Sequence, residues 1–155
     1  VIEVGQPAPT FTLQDQDDRS VALEDLRGTP VVIYFYPKDD TPGCTTQACA
    51  IRDQWAEFED AGVAVLGISP DDVDRHARFA DKYDLPHRLL ADPQREAIDA
   101  YGTWGTKKMY GKEFEGVIRS TFLVDRDGNV AAMWPKVNPK EHADQVLAAI
   151  AELDT

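Results

Sequence analysis

The sequence predicts an α/β fold with a mixed central sheet, flanking helices and an N-terminal β-hairpin extension. Three observations carry that expectation. Two continuous apolar runs, Val31–Tyr36 and Val63–Ile68, suit short strands covered on both faces. The first run is followed by a segment whose apolar residues recur at the helical period, and the second by the capping signals of a helix start. Strand pairs separated by turn residues stand near both ends of the chain, at 10–23 and 120–134. The 155 residues can bury one substantial core, so a single domain spanning residues 1–155 is expected.

Taken in order, Thr10–Leu13 and Ser20–Leu23 alternate as strands do, with Asp15–Asp18 as the turn of a hairpin. Val31–Tyr36 is the first buried strand, and Pro37 ends it. Thr41 has the character of a helix N-cap, Pro42 fits the first helical position, and Cys44 falls at the third. That helix is expected to run to about Ala61–Gly62, where glycine supplies the C-cap. Val63–Ile68 follows as the second buried strand. Ser69 then reads as the cap of another helix, with Pro70 first and acids in the first turn, continuing to about Tyr83. A short segment around His87–Leu90 precedes a brief helix at 94–101, and Trp104–Glu115 reads as a loop carrying aromatics. Ser120–Val124 and Val130–Trp134 form a hairpin across Asp125–Asn129. Asn138–Glu141 caps a final helix with Val146, Leu147, Ile150 and Leu153 on its apolar face. Strand, helix, strand, helix, hairpin, helix is the order of a thioredoxin-like α/β sandwich with an N-terminal extension.

The net charge of −12 disfavours nucleic acid and anionic membranes as partners, since both are polyanionic. No apolar run approaches the ~20 residues of a transmembrane helix, and Val1–Val4 lacks signal-peptide character, so a cytoplasmic location is expected. His76, His87 and His142 are widely scattered, with no i, i+4 pair and no neighbouring cysteine. They read as surface or boundary residues, and no metal site is expected. Asp125–Asn129 reads as a turn and not a calcium loop, because Lys136 stands where the bidentate Glu would be. Residues 102–107 lack the spacing of a phosphate-binding loop.

Cys44 and Cys49 are the only cysteines. Two close cysteines are too few for a disulfide-stapled scaffold, and as a pair they are equally compatible with small buried hydrophobes. The helix start favours chemistry. A thiolate, not a thiol, is the nucleophile, and a helix N-terminus can lower a cysteine pKa from about 8.5 toward ~3.5–7.5. Ala48, Ile51, Trp55 and Phe58 continue from Cys44 as one stripe, and Cys49 lies off it. In an intact helix the two Cα atoms would be about 8–9 Å apart and point roughly 140° away from each other. A disulfide needs less than about 7 Å. If the two pair, the first turns must unwind, and Gly43, Thr45 and Thr46 make that easier. Asp39 and Asp40 work against a thiolate, so a cation from elsewhere is required.

The pattern Pro37-x-x-x-Thr41-x-x-Cys44 resembles the active-site signature of the peroxiredoxins. A second cysteine five residues on makes the chain similar to the bacterioferritin-comigratory-protein, or Q-type, branch. The similarity spans nearly the whole chain, from Val4-Gly5-Gln6-Pro7-Ala8-Pro9-x-Phe11 through Tyr83-x-Leu85-Pro86 and Trp104-Gly105-x-Lys107-Lys108 to Arg119-Ser120-Thr121-Phe122-Leu123-Val124-Asp125.

The resemblance implies the same thioredoxin-like fold, with Cys44 as peroxidatic and Cys49 as resolving cysteine. It implies that Thr41 orients peroxide and thiolate, that Pro37 shields the pocket, and that Arg119 supplies the missing cation. Position 47, often acidic in this branch, is Gln47 here. The activity implied is reduction of hydrogen peroxide and organic hydroperoxides through a Cys44 sulfenic acid and an intramolecular Cys44–Cys49 disulfide. Thioredoxin or a glutaredoxin-like dithiol would regenerate the enzyme, without metal, haem or other cofactor, and a monomer is expected rather than a dimer. Two rival classes are a thioredoxin-type oxidoreductase, which uses Cys-x-x-Cys, and a redox sensor that passes its disulfide to a bound protein.

Overall fold

Residues 2–153 are described by the computed structural model. In chain order the strands are β1 (Thr12–Gln14), β2 (Ser20–Ala22), β3 (Val31–Phe35), β4 (Ala64–Ser69), β5 (Arg88–Ala91), β6 (Trp104–Met109), β7 (Lys112–Val117), β8 (Ser120–Val124) and β9 (Val130–Trp134). The helices are α1 (Pro42–Asp53), α2 (Trp55–Asp60), α3 (Val73–Tyr83), α4 (Glu96–Ala100) and α5 (His142–Leu153). None is long and apolar enough to cross a membrane.

Six apolar residues in succession put β3 at the centre, because each side chain has a core to enter. Val31, Ile33 and Phe35 enter one core, while Val32, Tyr34 and the following Tyr36 enter the other. β3 pairs in parallel with β4 and antiparallel with β8. The full seven-stranded order is β2-β1-β5-β4-β3-β8-β9, with β4 and β5 parallel and the outer pairings antiparallel. Residues of α1, α2, α3 and α5 fill the core on the Tyr34 side. The N-terminal segment and α4 cover the other side, around Phe11, Ile98 and Tyr101. This is the mixed thioredoxin-like sheet that the sequence predicts, with the N-terminal hairpin added beyond β5. The His87–Leu90 segment contributes an interior strand of it.

Four local expectations change. The cysteine helix is not continuous to Gly62: Gln54 leaves helical geometry (φ −113°, ψ 21°) and separates α1 from α2. There the Gln54 N–H bonds to the Ile51 carbonyl at 3.2 Å, and its side-chain amide donates to Asp144 of α5 at 3.0 Å. The redirected α2 still buries Phe58 and ends before Gly62, whose φ of +70° suits glycine. Ser69 is not a cap. It extends β4 opposite Ala91, and its hydroxyl donates to Asp71, while Asp72 caps α3 by accepting the Arg75 N–H at 2.8 Å.

Trp104–Glu115 is not a loop either. β6 and β7 form a hairpin whose two-residue turn, Tyr110–Gly111, has positive φ at both positions (53° and 76°), the signature of a type I′ turn. Finally, Asn138 accepts the Lys140 N–H in a turn that precedes α5, so that helix starts at His142.

Candidate active site

α1 begins shortly after β3 ends, and this junction places the first cysteine. Thr41 holds the N-cap position with extended backbone, but its hydroxyl does not cap the helix; it donates to the Lys38 carbonyl at 2.8 Å. Pro42 occupies the first helical position, and the Thr45 N–H is bonded back to the Thr41 carbonyl at 2.8 Å. Cys44 therefore sits in the first turn, at the positive end of the helix dipole. Its side chain is buried with Ala48 and Ile51 against the sheet. Pro37, half-buried, follows Tyr36 and opens the segment that leads to Thr41.

Arg119 arrives from far along the chain. Because β8 pairs with β3 in the register Phe35↔Ser120, position 119 lies beside the backbone leaving β3. Its guanidinium reaches the thiol, with Nη2 3.4 Å from Cys44 Sγ, and Nη1 donates to Gln47 Oε1 at 2.7 Å. Gly43 leaves the space for this approach, since a Cβ there would stand 2.9 Å from Nη2. Lys107 of β6 is a second cation in the neighbourhood. Burial and then Arg119 pull its pKa down, while the negative charge of Cys44 pushes it up.

Asp39 and Asp40 are not balanced by Arg119, because each has partners of its own. The buried Asp39 carboxylate accepts the Tyr36 hydroxyl at 2.6 Å and meets His76 Nδ1 at 2.6 Å. Asp40 binds Lys82 at 2.8 Å and the Tyr83 hydroxyl at 2.6 Å, and the Lys82 hydrogen bond leads in holding its carboxyl below the usual range. Asp39, Asp71 and His76 bring ligand atoms within 4.8 Å of one another. These groups are hydrogen-bonded already: Asp71 accepts from Ser69, Arg75 and the Asp39 N–H, and His76 lies between the Asp39 carboxylate and the Leu90 carbonyl. The three side chains form one hydrogen-bonded knot.

The three histidines are buried and not at the surface. His76 shares a face of α3 with Phe79, His142 shares one of α5 with Val146 and Ile150, and His87 packs among Tyr34 and Trp55. Burial lowers the pKa of His87 to about 3. Burial, followed by the charge of Arg119, lowers that of His142 to about 4. His142 is a site residue that the sequence reading missed: its Nδ1 lies 3.2 Å from Gln47 Nε2 and its Nε2 2.8 Å from Thr121 Oγ1. The signal was present as an i, i+4, i+8 stripe starting at position 142.

Cys49 lies on the same intact helix, half-buried, and both thiols are free. Burial pushes its pKa above the ordinary value, with Arg52 opposing. The structure thus joins Cys44 with Arg119 and keeps Cys49 on another face of α1.

A buried thiol at a helix N-terminus, facing a guanidinium on a thioredoxin-like sheet, defines a thiol-dependent oxidoreductase. The AhpC/TSA family matches residues 4–133. A Bcp-type peroxiredoxin of Coxiella burnetii is 47% identical over 149 residues, covering 96% of this chain and 99% of that protein. Peroxiredoxin Bcp of Bacillus subtilis is 41% identical over 152 residues, covering 98% and 97%. Among solved structures, the bacterioferritin comigratory protein of Xanthomonas campestris superposes with a TM-score of 0.91 at 38% identity, covering 100% of this chain and 99% of that one. The chain belongs to the AhpC/TSA family, in its Bcp/Q-type peroxiredoxin branch, and is a thiol peroxidase.

Proposed function

We propose that Cys44 is the peroxide-attacking thiolate, that Cys49 resolves it, and that a dithiol protein of the thioredoxin or glutaredoxin type completes the cycle. The observation that carries this reading is the 3.4 Å approach of Arg119 Nη2 to a thiol in the first turn of α1. A sulfur lone pair attacks the terminal peroxide oxygen and the O–O bond breaks. The departing oxygen takes a proton and leaves as alcohol or water, and Cys44 becomes a sulfenic acid. Arg119, the field of Lys107 and the free N–H groups at the helix start stabilise the negative charge as it moves from sulfur to the leaving oxygen. Thr41 gives its own proton to the Lys38 carbonyl, which leaves its oxygen to accept from the peroxide O–H. Pro37 keeps bulk water from the sulfur. The X. campestris relative is described by its alkyl peroxide reduction activity, which supports organic hydroperoxides as substrates here beside hydrogen peroxide.

In the second step a Cys49 thiolate attacks Cys44 sulfur, the S–OH bond breaks, and hydroxide leaves as water. With about 8–9 Å between the Cα atoms of an intact helix, against about 7 Å for a disulfide, α1 must open first. Opening also frees Cys49 from the burial that disfavours its ionisation. Two thiol–disulfide exchanges with the external dithiol then restore both thiols.

Stopped-flow mixing of reduced protein with hydrogen peroxide tests the assignment. Cys44→Ser is expected to consume none. Cys49→Ser should keep the first-turnover rate within about twofold of wild type and accumulate sulfenic then sulfinic acid by mass. Peroxide reduction by Cys44→Ser at the wild-type rate would remove Cys44 from its role.

A further inference from the structure

Arg119, Gln47, His142 and Thr121 form a chain of side chains leading away from Cys44, and its donor order follows from one end. A guanidinium only donates. Arg119 Nη1 is 2.7 Å from Gln47 Oε1, so the carboxamide oxygen faces Arg119 and the NH2 faces His142 Nδ1 at 3.2 Å. An amide NH2 only donates, so Nδ1 must present its lone pair. The ring proton then resides on Nε2 and is donated to Thr121 Oγ1 at 2.8 Å. Gln47 and Thr121 are fully buried and His142 nearly so. A rotated carboxamide would set its NH2 against the guanidinium, two donors facing each other with both groups desolvated.

The surroundings keep the ring in this state. α1 contributes Gln47, β8 contributes Thr121, and the guanidinium of Arg119 lies at the far side of Gln47. β3 contributes the Tyr34 ring, 5.5 Å away between centroids, and beyond it stands His87, whose Nε2 is 2.7 Å from the Tyr34 hydroxyl. Burial and the nearby arginine both oppose a second proton on the ring.

We propose that His142 is a positioning residue for the peroxidase reaction: its Nδ1 lone pair fixes the Gln47 carboxamide, whose oxygen in turn holds the Arg119 guanidinium against Cys44. The inference rests on the reading that Arg119 serves the Cys44 thiolate. It also gives the amide at position 47 a meaning. A carboxylate at position 47 would turn an acceptor toward Nδ1 and require a proton there, so the amide selects the opposite tautomer.

Long-range proton–nitrogen NMR spectra of the reduced protein at neutral pH report the tautomer directly. The expected spectrum shows His142 protonated on Nε2 only, and Gln47→Glu should move it to the Nδ1–H or doubly protonated form. In kinetics, His142→Leu is expected to slow peroxide attack about tenfold, the loss of one buried hydrogen bond, and to reduce the thiolate ultraviolet absorbance. His142→Asn places an acceptor oxygen near the Nδ1 position and should restore most of that loss. In an Arg119→Met background, His142→Leu should add less than about a further twofold, because the two act through one contact.

An Nδ1–H tautomer in the wild type, an unchanged rate in folded His142→Leu, or full additivity with Arg119→Met overturns the proposal. If His142→Leu fails to fold, the wild-type and Gln47→Glu spectra decide. An Arg119→Met protein that reacts at the wild-type rate would instead overturn the role of Arg119, and with it the purpose assigned to His142. A slowed Arg119→Met beside an unchanged His142→Leu overturns the relay alone.

Discussion

Gly43 is in a helix, where alanine would be the better residue by about 1 kcal/mol. It is there because of what lies above it: a Cβ would come within 2.9 Å of Arg119 Nη2, the movable end of a long side chain. Gly43→Ala gains up to about 1 kcal/mol of helix propensity but draws the guanidinium off the buried Gln47 oxygen at a cost of about 1–3 kcal/mol. Urea titrations should therefore show no net gain in stability, while the peroxide step slows by about tenfold as the guanidinium is pushed aside. An unchanged stopped-flow rate would show that the contact has slack. The same neighbourhood shows what a sequence can reveal at this scale. Pro37, Thr41, Cys44 and Cys49 stand within one short local pattern. Arg119 is 75 residues from Cys44 and owes its position to the Phe35↔Ser120 register, so only the resemblance pointed to it. His142 opens the stripe of Val146 and Ile150, so its burial follows from its helix face, which the scatter of the three histidines along the chain does not reveal.

At the scale of the element, α1 combines a weak beginning with a defined end. Thr46 donates its hydroxyl to the Pro42 carbonyl at 2.9 Å, a back-bond that competes with the helical ladder. Thr46→Ala should strengthen the first turns by roughly 0.5 kcal/mol and slow disulfide formation about twofold, with the first step unaffected. Equal resolution rates in rapid-quench mass analysis would deny that helix opening limits it. At the other end, Gln54 interrupts the helix and is tied to Asp144. Amide exchange across 44–53 should be faster in the disulfide form than in the reduced form, while α2 and β3 change little. Equal protection with the disulfide confirmed by mass would refute the opening. The break at Gln54 was illegible because Ile51, Trp55 and Phe58 keep a helical spacing straight through it. The β6–β7 hairpin was illegible for another reason. Its turn places Tyr110, and not Asn or Asp, at positive φ.

Over the whole molecule, His87 and His142 shape the response to acid. An unfolded chain takes protons on His87 and His142 near 6.5, whereas the folded chain refuses them until about 3 and about 4 respectively. The unfolded state then binds more protons, so stability is complete above about 6.5 and is lost as the pH falls. Between about pH 6 and pH 5 the loss should approach 2–3 kcal/mol, close to two protons. His87→Phe should halve that slope in urea titrations, and a wild-type slope below one proton would contradict the account. The architecture itself was legible because it rests on long apolar runs and strong periodicity. The burial of the histidines was not, because it depends on which helix faces meet the sheet.

That sheet has one more consequence. β3 divides its side chains between two cores, and no residue of α1 enters the core that holds Phe11, Ile98 and Tyr101. Changes at Phe11, Ile98 or Tyr101 touch no side chain of α1 and reach the sulfur only through the β3–β8 pairing that places Arg119. Where that register is kept, their effects should add independently to those of changes at the sulfur. Thermal adaptation can accumulate on one side of the sheet while the redox cycle on the other stays as it was, so a lineage moving to a hotter habitat need not alter its reactivity toward peroxide.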